Sequence, residues 1–162
     1  MKKMEAKIRK ATVEDVSELA KTYIAAFKPV DPSENWTEER AAALISFFIE
    51  RQSDLAFVAE LNSRIVGAIF GLAKPWWDGV HLVETELFVA PEAQRKGVGA
   101  ALFRHYLHNA KNLYSAKIME SITFKELAFP SSWYAELGFR EKEEWKVLLG
   151  EVEALFKKLG EH

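Results

Sequence analysis

Apolar residues in this chain recur with two different periods, and the changes of period mark out its elements. Lys7 to Ala11 has the short alternation of a strand. Thr12 then opens a Thr-x-x-Asp pattern, a helix start with Asp15 in the first turn. Val16, Leu19, Tyr23 and Phe27 line one face of the helix that follows, until Pro29 and Pro32 break the chain. A second helix is predicted from near Thr37, with Ala41, Leu44, Ile45, Phe48 and Ile49 as its apolar stripe. Leu55 to Leu61 and Ile65 to Leu72 read as strands joined by Asn62-Ser63. Pro75 to Gly79 reads as a loop, and Val80 to Val89 as a long strand. Further on, Lys117 to Phe124 reads as a strand and Ser131 to Leu137 as a short helix stopped by Gly138. Phe139 to Leu149 supplies the last strand or strands, and Val152, Leu155, Phe156 and Leu159 make a small amphipathic helix. The predicted order is β-α-α-β-β-β-α-β-α-β with a tail helix. No repeat or linker divides it, so residues 1–162 are expected to form one domain.

The most informative stretch is where the long strand ends. Pro91 cannot donate a ladder hydrogen bond, so the strand stops near it. Gln94, Arg95, Lys96, Gly97, Val98, Gly99 and Ala100 then form a Gln-x-x-Gly-x-Gly turn. After it, Val98, Ala101, Leu102 and Tyr106 recur at helical spacing. Such a turn aims free N–H groups and the positive end of a helix dipole at one point, which suits phosphate. Arg95 and Lys96 add two positive charges beside it. A Walker loop would need Gly-x-x-x-x-Gly-Lys-Ser/Thr, and that string is absent from the sequence. A dinucleotide fingerprint would want a third glycine where Leu102 stands.

The order Val-x-Pro-x-x-Gln-x-x-Gly-x-Gly resembles motif A of the Gcn5-related N-acetyltransferases. The predicted elements resemble that family's order over about nine tenths of the chain. The resemblance implies an α/β (α+β) acyl-CoA N-acyltransferase fold, with a mixed, mostly antiparallel central sheet flanked by helices. It implies acetyl-coenzyme A as co-substrate, no metal, and a turn that holds the pyrophosphate. It also implies a splay or bulge at Leu87, Phe88 and Val89, which frees peptide groups for the pantetheine arm and the thioester oxygen. Trp133 to Phe139 is similar to the family's Phe-Tyr-x-x-x-Gly-Phe segment. By that likeness Tyr134 protonates the departing thiolate, as a positioned phenol can. The family often has Asn seven residues before this tyrosine and a small residue four before it, whereas Leu127 and Pro130 stand here. The coenzyme arm is therefore expected to run differently past Phe129 and Pro130.

Three carboxylates are candidates for the base that receives the amine's proton. Glu84 and Glu86 stand two apart on the long strand, so both are expected on one face. Glu120 shares strand parity with Ile118, Ile122 and Phe124, which predicts an apolar face and a raised pKa. Trp76 and Trp77, with Asp78 beside them, suit an aromatic wall for a cationic amine, a hydrophobic plug or a homodimer surface. His105 and His108 have helical spacing but no third ligand in sequence, and read as a solvated face. His81 is isolated and His162 is terminal.

Composition narrows the class without changing it. A hydrophobic share of 49% and a charged share of 28% are ordinary for a globular chain. A net charge of −2 gives no reason to expect nucleic acid as a partner. No apolar run reaches the length of a membrane span, and the start lacks the apolar core of a signal peptide. With 0 cysteines there is neither a disulfide framework nor a thiol nucleophile, and a cytoplasmic protein is expected. The expected activity is acetyl transfer from acetyl-CoA to a primary amine of a small molecule, peptide or protein. A coenzyme sensor without turnover, and an O-acyl or longer-chain transferase, are the alternatives.

Overall fold

The computed structural model describes residues 6–125 and 128–160; Leu127 and His162, singled out in the sequence, lie outside the described residues. These residues form two compact units, one ending at Ile122 and one beginning at Thr123. The first unit holds strands β1 (Lys7–Lys10), β2 (Phe57–Leu61), β3 (Arg64–Trp76), β4 (Gly79–Val89) and β5 (Ile118–Met119). It also holds helices α1 (Val16–Phe27), α2 (Glu38–Arg51) and α3 (Val98–Tyr114). The sheet order is β1-β2-β3-β4-β5, antiparallel throughout except for the parallel β4–β5 pair. This is the mixed, mostly antiparallel sheet that the family resemblance implies.

Both faces of the sheet are covered, which explains the near-continuous burial of β3 from Ile65 to Phe70. On one face Val58, Ala68, Phe70 and Phe88 pack with Leu19, Tyr23, Ala41, Ile45 and Phe48 of α1 and α2. On the other, α3 buries Val98, Leu102, Tyr106 and Ala110, and the His105 ring meets the edge of Phe57 at 4.6 Å. The stripes read from periodicity on these three helices thus pack into the core, whereas Val152, Leu155, Phe156 and Leu159, read as the apolar face of the tail helix, are exposed. His105 is used in packing, and His108 Nε2 lies 2.9 Å from the Asn112 amide.

The Thr12 signal works as a capping device with an added charge. Thr12 N–H donates to Asp15 Oδ2 at 2.8 Å, and Arg9 grips both Asp15 oxygens at 2.8 Å while also reaching Glu60. The Arg9 guanidinium holds the Asp15 carboxyl below its usual range, against the opposing effect of burial. A carboxylate depressed in this way adds stability above its ordinary value, and that stability is lost as pH falls through the folded value. Asp15→Ala should therefore lower the urea midpoint by an amount equal to about 1–2 kcal/mol at neutral pH. The difference from the parent should shrink in acid.

Several predicted boundaries are corrected, each for a local reason. Leu55 is fully buried from a short 3₁₀ turn, Ser53–Leu55, that precedes β2. Pro75 to Gly79 is not a loop: β3 and β4 pair as far as Trp76 and Gly79, leaving Trp77-Asp78 as a two-residue turn. Pro75 is tolerated because β2 pairs with β3 only as far as Ile69, so its missing N–H faces no neighbour. The strand expected over Lys117 to Phe124 shrinks to Ile118–Met119. It pairs with β4 only at His81 and Leu82, just before the bulge at Glu84 and Thr85.

The second unit contains α4 (Ala128–Glu136) and α5 (Val152–Leu159). Pro130 falls in the first turn of α4, where its missing N–H costs nothing. Gly138, at φ +95°, closes the helix: its N–H bonds Ala135 O at 3.0 Å, and Phe139 N–H bonds Tyr134 O at 3.0 Å. No strand forms over Phe139 to Leu149, contrary to the periodic reading. The charged run Arg140 to Glu144 makes a turn instead, with Trp145 N–H on Lys142 O at 3.1 Å. No helix among the described residues is long and apolar enough to cross a membrane.

Candidate active site

Strand β4 and the turn after it carry most of the predicted site residues. Its register against β3 jumps between Phe70↔Glu86 and Leu72↔Val83, so Glu84 and Thr85 together oppose Gly71. The cause lies on the neighbouring elements. A Cβ on Gly71 would sit 2.2 Å from Tyr106 Oη, which fills that place and meets Thr85 Oγ1 at 3.5 Å. The bulge thus precedes the position that family likeness implies, and Leu87 to Val89 run in regular register. Glu84 takes a left-handed φ of +51° and is exposed. Simple alternation fails across the extra residue, so the spacing does not place Glu84 and Glu86 on one face.

Beyond the bulge, β4 has an open edge. Ala90 N–H donates to Val66 O at 2.8 Å, so strand alternation turns the peptide groups of Val89 and Leu87 away from β3. Phe88 is buried, and its peptide faces β3. Strand β5 pairs with β4 only at His81 and Leu82, and no other strand among the described residues covers the edge at Leu87 and Val89. The Gln94 amide donates to Val89 O at 3.0 Å and latches the turn to the strand.

The turn then delivers the start of α3. Arg95 at φ +59° and Gly97 at φ +82° reverse the backbone, and the first helical bond is Ala101 N–H to Gly97 O at 3.0 Å. The N–H groups of Val98, Gly99 and Ala100 therefore have no intrahelical acceptor. No side chain among the described residues caps them. A Cβ at Gly97 would meet nothing within 4 Å, and one at Gly99 only Val89 Cγ2 at 3.6 Å. Packing inside the chain thus leaves the glycine at 99 unexplained, whereas an anion against these donors would need the bare backbone. Lys96 Nζ bonds Glu92 O at 2.7 Å, and Arg95 is exposed beside it. The donor set and the open cradle fit the pyrophosphate of coenzyme A.

Glu86 is the carboxylate with an unusual environment. Tyr23, buried on α1, places its hydroxyl 3.5 Å from Glu86 Oε2. Burial pushes the Glu86 carboxyl up to about 7, helped by the negative charges of Glu34 and Glu84 and opposed by the Tyr23 hydroxyl. Burial first, then the charges of Glu86 and Glu34, keep the Tyr23 phenol protonated. The Tyr23 ring is edge-on to Trp36 and Phe88, each at 5.1 Å, and lies 4.5 Å from Phe27. Trp36 Nε1 donates to Glu34 Oε2 at 2.7 Å. Sequence reasoning counted Tyr23 as a core position and passed over Glu34; the one signal was a polar tip on an otherwise apolar stripe.

The other candidates are placed elsewhere. Glu120 Oε1 lies 2.6 Å from His81 Nδ1, and Asp78 Oδ1 lies 2.8 Å from His81 Nε2. The Glu120 hydrogen bond, and then Asp78, raise the pKa of His81 against the effect of burial. The apolar face expected around Glu120 is absent, since Ile118, Ile122 and Phe124 are all exposed. Trp76 and Trp77 border a shallow depression with Pro75, and Lys74 Nζ already stands 4.1 Å over the Trp76 ring. At about 3.3 Å per residue along β4, this hairpin is about 20 Å from Glu86. Tyr134 belongs to the second unit, half-buried on α4 against Phe139 at 4.9 Å and Trp133 at 5.6 Å.

Comparison with known proteins bears on the family and the fold. Residues 16–139 match the model of the acetyltransferase (GNAT) family. An uncharacterised N-acetyltransferase of Methanocaldococcus jannaschii is 27% identical over 140 residues, 84% of this chain and 61% of that protein's length. A possible acetyltransferase from Clostridium difficile 630 superposes with a TM-score of 0.73 at 18% identity, covering 91% of this chain and 98% of that one. AAC(6')-Iy, solved with the bisubstrate analogue CoA-S-monomethyl-acetylneamine, superposes with a TM-score of 0.65 at 17% identity, covering 90% and 97%. The strand, the glycine turn and the helix it opens lie within the matched residues, and the chain belongs to the acetyltransferase (GNAT) family.

Proposed function

We propose that this chain transfers the acetyl group of acetyl-coenzyme A to a primary amine by direct attack on the thioester. One observation carries the reading: a half-buried carboxylate, Glu86, beside the Tyr23 hydroxyl precedes an open strand edge and an uncapped helix start between positions 86 and 100. Bound acetyl-coenzyme A supplies an activated carbonyl and a sulfur leaving group. The N–H groups of Val98, Gly99 and Ala100, with Arg95 beside them, hold the pyrophosphate. The N–H groups of Leu87 and Val89 donate along the pantetheine arm and to the carbonyl oxygen as it gains charge. Glu86 takes the proton of the acceptor amine, directly or through water. The Tyr134 hydroxyl protonates the departing sulfur, a role carried over from the Trp-Tyr-x-x-x-Gly-Phe match. Glu84 and Glu120 rank below Glu86 as bases, because one is exposed at the bulge and the other is committed to His81. A cytoplasmic setting fits a chain with 0 cysteines.

The test is thiol release from acetyl-coenzyme A across a panel of primary amines, alcohols and basic peptides. Amine-dependent release with recovery of the N-acetyl product is expected. Coenzyme binding without release for any acceptor would replace this reading with that of a sensor. In the same assay Tyr134→Phe, which removes only a hydroxyl, should lower kcat about tenfold or more and leave coenzyme affinity unchanged. Wild-type turnover would leave Tyr134 as a packing residue whose job solvent performs.

A further inference from the structure

Glu86 is met from three sides by groups whose effects oppose one another. From α1, the Tyr23 hydroxyl reaches Oε2 at 3.5 Å. From the segment between α1 and α2, Glu34 acts on both Glu86 and Tyr23, and its position is fixed twice. Its carboxylate accepts from Trp36 Nε1 at 2.7 Å, and its carbonyl accepts from Trp36 N–H at 2.9 Å. From β4 itself, Glu84 adds a second negative charge at the bulge. The strand facing Glu86 across the sheet offers only Phe70. Tyr23 is itself locked, edge-on between Trp36 and Phe88. One aromatic cluster thus places both the donor that favours the Glu86 carboxylate and the negative charge that disfavours it.

We propose that Tyr23 and Glu34 are positioning residues for Glu86, the phenol steadying its Oε2 and the exposed Glu34 carboxylate, held by Trp36 beside the Tyr23 ring, adding like charge. The inference rests on Glu86 as the base. Neither residue needs to touch a reacting atom. A hydroxyl that donates to a carboxylate favours the ionised form, and a nearby negative charge favours the neutral one. Removing the two should therefore move the ionisation of Glu86 in opposite directions.

The experiment is a carbon-detected NMR titration of the Glu86 side-chain carboxyl in the parent, Tyr23→Phe and Glu34→Gln. Its signal is assigned by its loss in Glu86→Gln. Both variants are conservative: Phe keeps the ring among its aromatic neighbours, and Gln keeps an oxygen for Trp36. The midpoint should rise in Tyr23→Phe and fall in Glu34→Gln, each by about half a pH unit. The rising limb of kcat/KM against pH should move with it. Unmoved midpoints, or midpoints that move the same way, would overturn the positioning roles. Midpoints that separate as expected while the kinetic limb stays fixed would uphold those roles and remove Glu86 as the base.

Discussion

Gly99→Leu should abolish coenzyme A binding and leave the fold intact. Gly99 is the second residue of α3, and a Cβ there meets only Val89 Cγ2 at 3.6 Å, an ordinary contact. In a helix leucine is the better former, by about 0.8 kcal/mol, so the variant has no intrinsic reason to unfold. Its side chain would nevertheless cover the N–H groups of Val98, Gly99 and Ala100, which have no acceptor within the helix. Calorimetry on the parent should give a micromolar or tighter constant, about −8 kcal/mol. The variant should show no heat up to about millimolar coenzyme, a loss of about a thousandfold or more. Unchanged affinity in a folded Gly99→Leu protein would remove the pyrophosphate from this turn. Gly97→Ala is a useful contrast. There the φ of +82° strains any side chain, so part of its effect would fall on stability.

The parts of this site that sequence revealed are those whose physics is local. A proline stop, two glycines and a helix stripe lie within Pro91 to Tyr106, and their geometry follows from neighbouring residues. The capping pattern at Thr12 and Asp15 was legible for the same reason, although the grip of Arg9 on it was not. Family likeness implied a bulge at Leu87 to Val89, and its actual place was illegible because the residues that meet there come from three elements: Gly71 on β3, Thr85 on β4 and Tyr106 on α3. Alternation counted Glu84 and Glu86 as one face since no residue in β4 announces an insertion. The Tyr23–Glu86 contact spans 63 residues of sequence, and helical periodicity registers only the ring of Tyr23. Glu34 lies in a segment without any period to read. His81 and Glu120, 39 residues apart, looked unrelated until parallel pairing of β4 with β5 brought them together. The strand read over Phe139 to Leu149 failed where the charged run Arg140 to Glu144 interrupts the apolar positions.

Glu86→Gln should cost catalysis and improve stability, and the combination separates a chemical role from a packing role. Burial holds the Glu86 carboxyl at about 7, so near neutral pH it exists in both forms and can accept a proton. The parent's kcat/KM should rise with pH through about 7, with a further rise where the acceptor amine itself ionises. Removing the base should lower kcat by about 10²- to 10⁴-fold and erase the lower limb, with coenzyme affinity retained. The stability effect has the opposite sign. A carboxyl whose folded pKa lies above its unfolded value binds more protons when folded, so stability falls as pH rises from about 4.5 to 7. Above that range the parent carries the cost of a buried charge, which glutamine removes while keeping an oxygen for the Tyr23 hydroxyl. The gain at pH 8 should be of the order of 2 kcal/mol, vanishing near pH 4, and urea unfolding at the two values would measure it. A glutamate kept for packing alone would show the gain without the lost limb. If turnover and pH profile both survive the substitution, the amine reaches the site already neutral. The chain would then contribute proximity and the donors of Leu87 and Val89 instead of a base.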